Sequence, residues 1–162
     1  MITQDELKSV LTYDENTGIF RWKEDNKFSR IKSGTKAGFI HVHGYVKICI
    51  NRKSYMAHRL AWLYVYGYMP ETIDHINGIR YENQISNLRP CTRSENNYNS
   101  KIRSDNTSGI KGVHWVNQHK KWAAKIYVNK ESISLGYHTD FFEACCAIQS
   151  ARNKYHGEFA HL

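Results

Sequence analysis

Ile73-Asp74-His75-Ile76-Asn77-Gly78, then Asn83, then Asn87-Leu88-Arg89-Pro90-Cys91-Thr92-Arg93-Ser94-Glu95-Asn96-Asn97 is the stretch on which the reading of this chain turns. Asn-Gly is a strong two-residue hairpin signal, so Asn77-Gly78 predicts a tight turn with Asp74 and His75 at the end of a strand. Thr92 and Glu95 have capping-box spacing, which predicts a helix starting at Arg93 with Asn96 on its first turn. The expected layout is strand, turn, loop and short helix, with a carboxylate and an imidazole facing an amide.

Working outward, Thr3 and Glu6 repeat the capping-box spacing ahead of Leu7, Val10 and Leu11, which share one helical face. Asp14 to Gly18 reads as a turn before the strand-like Ile19-Phe20-Arg21-Trp22, and Tyr45–Ile50 reads as another strand. From Arg59 to Tyr66 the apolar residues are too dense to alternate, so a buried helix ending at Gly67 is expected. Residues 70–100 are poor in apolar side chains and rich in Asn, and Lys101 to Ser108 reads as a linker. Beyond it, Lys111–Val116, Trp122–Val128 and Ser132–Leu135 read as three strands. A helix should follow from the N-cap Asp140, with Phe141, Ala144, Cys145, Ile148, Ala151 and Tyr155 at helical spacing.

The 162 residues suit one domain or two small ones, and this pattern gives two. Hydrophobic residues make up 41% and charged ones 23%, which places the chain among folded rather than disordered proteins. No apolar run approaches the roughly 20 residues of a membrane helix, and the first residues lack the pattern of a signal peptide. The formal net charge is +8. Residues 1–57 hold ten basic and six acidic residues, 58–103 six and four, and 104–162 seven and five, so the excess is spread over the fold rather than gathered in a tail. Nucleic acid is the default partner for such a surface, although a solvated lysine-rich surface explains the charge equally well.

The central cluster suits phosphodiester hydrolysis. A neutral imidazole with a pKa near 6.5 takes a proton from water at physiological pH. A carboxylate with an amide oxygen makes a hard, partly open site for Mg²⁺ or Mn²⁺. Neighbouring strand residues point to opposite faces, so Asp74 and His75 share a site only if the strand bends or ends there.

The run from His58-Arg59 through Asp74-His75, Asn87-Leu88-Arg89 and Asn96 resembles the HNH endonucleases, whose core is a ββα-metal fold. Tyr13-Asp14, Thr17-Gly18 and Ala57-His58-Arg59-Leu60-Ala61-Trp62 resemble the phage and intron-encoded (homing) members. The resemblance implies His75 as general base, Asn87 as the residue that holds the metal loop in shape, and Asp74 and Asn96 as metal ligands. The chain departs from the literal motif in carrying Asn96 where His is usual. Arg59 either clamps a phosphate or ties its helix to the core; Arg89 either faces DNA or is simply exposed.

Ser108-Gly109-Ile110-Lys111-Gly112-Val113, Trp122-Ala123-Ala124-Lys125-Ile126, Leu135-Gly136 and Gly157-Glu158-Phe159-Ala160 resemble the DNA-binding domain of plant ethylene-response factors, the APETALA family. That resemblance implies a three-stranded sheet entering the major groove, with Lys111, His114, Lys125, Tyr127, Ser132 and Ser134 facing DNA. Phosphate contact by Lys111 and Lys125 is the expectation; base preference does not carry over. Trp115 either stacks on the DNA backbone or packs, and packing is favoured.

The fold class expected is therefore α+β: a ββα-metal nuclease domain with a β-rich extension over 1–100, a linker over 101–107, and a three-stranded antiparallel sheet packed on one helix over 108–162. Cys49, Cys91, Cys145 and Cys146 form no C-x-x-C pair, so no zinc knuckle is expected, and reduced thiols fit a cytoplasmic location in a bacterium or phage-infected host. One of Cys145 and Cys146 should enter the core. The implied protein is a DNA endonuclease that uses Mg²⁺ or Mn²⁺ on double-stranded DNA, as a monomer or weak dimer. The alternative is a non-catalytic DNA-binding transcriptional regulator with a degenerate core.

Overall fold

The computed structural model describes residues 2–25, 31–100 and 102–160. Lys101, the first residue of the expected linker, lies outside them. The chain forms two compact units, Met1–Cys91 and Thr92–Leu162, each mixed in secondary structure and built on small antiparallel sheets.

In the first unit, α1 (Gln4–Val10) starts at Thr3, whose side chain accepts from the Glu6 amide while the Glu6 carboxylate accepts from the Thr3 amide. Both capping-box bonds are made, an arrangement worth about 1 kcal/mol. The helix stops at Leu11, which turns extended and opens β1 (Leu11–Asp14), a strand the apolar spacing had hidden. β1 pairs with β2 (Ile19–Trp22) around the Asp14–Gly18 turn. β3 (Phe39–Ile40), β4 (Val46–Ile50) and β5 (Lys53–Met56) make a three-stranded sheet, and α2 (Ala57–Tyr66) ends at Gly67 in the left-handed conformation. Leu7, Leu11, Phe20, Ile48, Leu60 and Leu63 form the core between these elements. β6 (Thr72–His75) and β7 (Leu88–Cys91) complete the unit as a separate antiparallel pair.

The second unit begins with α3 (Arg93–Tyr98), whose N-cap Thr92 makes both capping-box bonds with Glu95. Residues 92–100, read from sequence as the end of the first domain, thus group with the second. A six-residue helix has little stability of its own. Here its end is held by the Lys111 ammonium, which donates to the carbonyls of Asn97, Tyr98 and Ser100 and to Ser100 Oγ at 2.8–3.2 Å. Tyr98 stacks on His156 with centroids 3.8 Å apart, and its hydroxyl accepts from the Asn129 amide at 3.0 Å.

β8 (Val113–Val116), β9 (Lys121–Val128) and β10 (Glu131–His138) form an antiparallel sheet in the order β10-β9-β8. α4 (Phe141–Tyr155), capped by Asp140, buries Ala144, Ile148 and Ala151 against Val113, Ala124 and Ile126. Neither adjacent cysteine enters that core: Cys145 is half-buried and Cys146 exposed, because Ala144 and Ile148 occupy the inward positions. Tyr155 is also displaced from the core face, with Arg152 buried instead. Among the described residues no helix is long and apolar enough to cross a membrane.

Gly112 sits at φ +91°, where a Cβ would stand 2.6 Å from the Lys125 carbonyl oxygen and 2.8 Å from Ile148 Cδ1. Gly112→Ala is expected to destabilise the second unit by about 3 kcal/mol, a sum of backbone strain and overpacking that denaturant titration reads directly.

Candidate active site

The register of β6 and β7 sets Asp74 directly opposite Arg89 and His75 opposite Leu88. The Arg89 guanidinium donates through Nε and Nη2 to Asp74 Oδ2 at 3.0 and 2.9 Å. Both residues are buried, at 5% and 9% exposure. Arg89 is therefore neither exposed nor a DNA-facing side chain, as the sequence reading had it. The cross-strand position gives it a carboxylate partner, and charged side chains enter an interior almost only when paired.

His75, the next residue, turns to different neighbours. Its Nε2 lies 3.1 Å from Asn83 Oδ1, and its ring packs edge-on to His58 with centroids 5.1 Å apart and against Tyr45 at 6.0 Å. Burial lowers its pKa from the ordinary histidine value, while the Asn83 bond and the Asp74 charge act in the opposite direction and Arg80 adds to the lowering. The lowering favours the neutral imidazole, the state a proton acceptor needs. His58 is pulled further, to about 3, by burial first and then by His75 and Arg59. Its Nδ1 is buried with no hydrogen-bond partner, so protonation there has no compensation.

The segment between the strands is not a two-residue hairpin. The tight turn that forms is centred on Ile76-Asn77, with the Gly78 amide donating to His75 O at 2.8 Å, and the chain then continues through residues 79–87 before β7 begins. Side-chain amides hold that loop. Asn87 accepts from the Asn77 amide at 3.1 Å and donates to Glu82 O at 2.9 Å, spanning the loop from both ends. Asn77 accepts from the Ile79 amide and donates to Glu82 Oε2. Arg80 lies over the Tyr45 ring and donates to His43 O.

The other expected site residues fall in several places. Asn96 is half-buried on α3, in the second unit. Arg59 donates to Pro70 O and Glu71 O at 3.2 and 3.1 Å, tying α2 to the segment that leads into β6. His114, Lys125, Tyr127, Ser132 and Ser134 are all exposed on one face of the second unit's sheet, where Lys125 pairs with Ser134 and Tyr127 with Ser132. Lys111 is not on that face. It precedes β8, and its ammonium is turned onto the end of α3. Trp115 packs edge-on to Trp122, with centroids 5.2 Å apart. His114, Lys125 and Tyr127 also border a cleft of about 720 Å³ within this unit.

As donors for a divalent cation, Asp74 and Asn96 supply a carboxylate and an amide, the hard oxygen chemistry that suits Mg²⁺ or Mn²⁺. Arg89 Nε and Nη2 both donate to Oδ2 of Asp74. Among the described residues no three His, Cys, Asp or Glu side chains gather to hold a metal ion. Two residues of the site were not given a role from sequence. Asn83 was named within the deciding stretch but assigned no task, and Tyr13 entered only with the upstream residues that resemble the phage and intron-encoded members.

Comparison with known proteins adds two findings. The family model for HNH endonuclease matches residues 55–98. Protein 3.8 of Escherichia phage T7 is 31% identical over 90 residues, covering 56% of this chain and 74% of that protein. No solved structure matches the chain.

Two measurements follow from the geometry. Arg89→Met removes the guanidinium from a buried carboxylate, and a loss of about 3–5 kcal/mol in the first unit is expected by denaturant unfolding. His58 titrates near 6.5 unfolded and about 3 folded, so its contribution to stability is full above pH 6.5 and lost as the pH falls towards 3. The melting temperature should therefore fall between pH 7 and 4.5, and His58→Leu should make that slope shallower.

Proposed function

The chain belongs to the family of phage T7 Protein 3.8 and carries an HNH endonuclease domain, and we propose that it is a metal-dependent DNA endonuclease with His75 as general base. The observation that carries this reading is the setting of His75: a buried imidazole held by an asparagine at the end of a strand, beside a loop pinned at both ends by Asn87. The imidazole takes one proton from a water molecule. The water oxygen forms the new bond to phosphorus with the electron pair so released, and the bond to the departing sugar oxygen breaks with its electrons leaving on that oxygen. Asn87 acts by holding the loop that follows His75. Asp74 and Asn96 are the proposed ligands, Asn96 on its place in the motif alone. A bound Mg²⁺ or Mn²⁺ there would stabilise negative charge on the phosphate and the departing oxygen.

Double-stranded DNA is the proposed partner of the second unit as well. The exposed face bearing His114, Lys125, Tyr127, Ser132 and Ser134 supports an APETALA-like mode of docking, with Lys125 as its phosphate contact. Lys111 is left out of that set, since its ammonium serves α3. Arg59, likewise, is assigned to holding α2 rather than to a phosphate. The proposed setting is the cytoplasm of a bacterial or phage-infected cell, with the protein acting as a monomer or weak dimer.

One observation favours a second reading. The Asp74 carboxylate is already neutralised by Arg89, as it would be in a DNA-binding regulator whose core no longer cuts. A supercoiled-plasmid assay separates the two. With Mg²⁺ or Mn²⁺ the wild-type protein is expected to nick or linearise the plasmid, and EDTA to stop it. His75→Ala should lower the rate by roughly 10²–10⁴-fold with DNA affinity within about twofold. Cleavage by His75→Ala at the wild-type rate would overturn the assignment of the base, and binding without any nicking by the wild type would favour the regulator.

A further inference from the structure

The contacts of Asn83 decide which nitrogen of His75 can act. Asn83 is 2% exposed. Its Nδ2 lies 3.0 Å from Tyr81 O, and a carbonyl oxygen only accepts, so the amide nitrogen must face Tyr81 and the amide oxygen must face His75. An amide oxygen also only accepts. The ring nitrogen 3.1 Å from it, Nε2, must therefore carry the hydrogen.

We propose that Asn83 is a positioning residue that locks His75 in the Nε2–H tautomer, making Nδ1 the atom that receives the proton in the reaction. The inference rests on His75 being the base, as proposed above. A base enters its step neutral, so with Nε2 protonated the lone pair is on Nδ1. When Nδ1 takes a proton from water the ring becomes an imidazolium, and the Nε2–H bond to Asn83 becomes charge-assisted and stronger. Asn83 thus favours the protonated product of the step as well as orienting the ring before it.

The backbone that carries the lock is braced by a part of the chain outside the matched segment 55–98. The Tyr13 hydroxyl donates to Asn83 O at 2.6 Å. Gly18, at φ +69°, lies so close that an added Cβ would collide with the backbone of Asn83 and Gln84. The Ile85 amide donates to Glu15 O at 3.2 Å. Residues 13–18, the end of β1 and its turn, therefore fix the backbone on which the Asn83 amide is mounted. A sequence that kept the core motif but lost Tyr13 or Gly18 would keep the base and loosen its orientation.

The ring of His75 is observed directly by ¹⁵N–¹H correlation through its carbon-bound protons, which distinguishes the tautomers of the full-length protein without any variant. The expected wild-type spectrum is that of Nε2–H; a spectrum of Nδ1–H would overturn the proposal whether or not the protein cuts DNA. Asn83→Leu should replace the single pattern by a mixture of tautomers and lower kcat by roughly tenfold or more while the KM for DNA stays within about twofold. Asn83→Asp keeps an acceptor for Nε2–H but sets its second oxygen against Tyr81 O and adds a charge that favours the imidazolium, so it should retain the proton on Nε2 without restoring kcat in full. Tyr13→Phe removes one hydroxyl behind Asn83 and should lower kcat by a smaller factor, which keeps the test available if Asn83→Leu does not fold. Asn83→Leu with an unchanged tautomer and kcat would sink the idea. If the wild type shows Nε2–H but never nicks DNA, the lock stands and the nuclease reading fails.

Discussion

Two opposite charges are buried side by side on a sheet of only two strands, and the geometry of the site depends on that pair. Taking Asp74 and Arg89 out of water is costly, and the guanidinium held on Oδ2 offsets that cost. That requirement fixes the register of β6 against β7, because a slip of one residue would bring Arg89 to the opposite face and leave both charges unmatched. With the register fixed, His75 is committed to the side where Asn83, His58 and Tyr45 lie. The same pair that secures the strand end also tempers the carboxylate beside the base. Its negative charge still favours a proton on His75, but against burial, which dominates.

The loop that follows is built on amides rather than on apolar packing. Asn77, Asn83 and Asn87 each pair one donor and one acceptor with groups of the segment or the strand end. An asparagine offers both functions on a short, stiff stem, so it can satisfy two backbone or side-chain groups at once without carrying a charge into the interior. A polar, Asn-rich composition therefore does not mark this stretch as a loose connection. It is the scaffold of the site.

Much of this was legible in the chain because it is local. Both capping boxes, the Gly67 helix stop and the Asp140 N-cap follow from residues within a few positions of one another, and the structure shows each of them. What failed to show were the long-range partnerships. Asn77-Gly78 predicts a tight turn; the one that forms is centred on Ile76-Asn77 and the return strand begins only at Leu88, so the turn signal could not reveal that Arg89 meets Asp74. Lys111 follows the spacing of a strand that projects a cation to solvent. Its real partners are carbonyls of a helix more than ten residues upstream. Tyr13 and Asn83 are 70 positions apart, and nothing in either neighbourhood announces their bond.

The hold of Lys111, His156 and Asn129 on α3 bears on how this protein could be recombined with others. A chimera cut at the apparent linker would transplant the sheet module but leave the short helix behind without the groups that cap and stack against it. The joint that respects the architecture falls between Cys91 and Thr92, where the helix travels with the module. The residue proposed as a ligand, Asn96, would then arrive with the new module rather than remain with His75, so exchanging the part proposed to dock on DNA would also exchange part of the proposed chemistry.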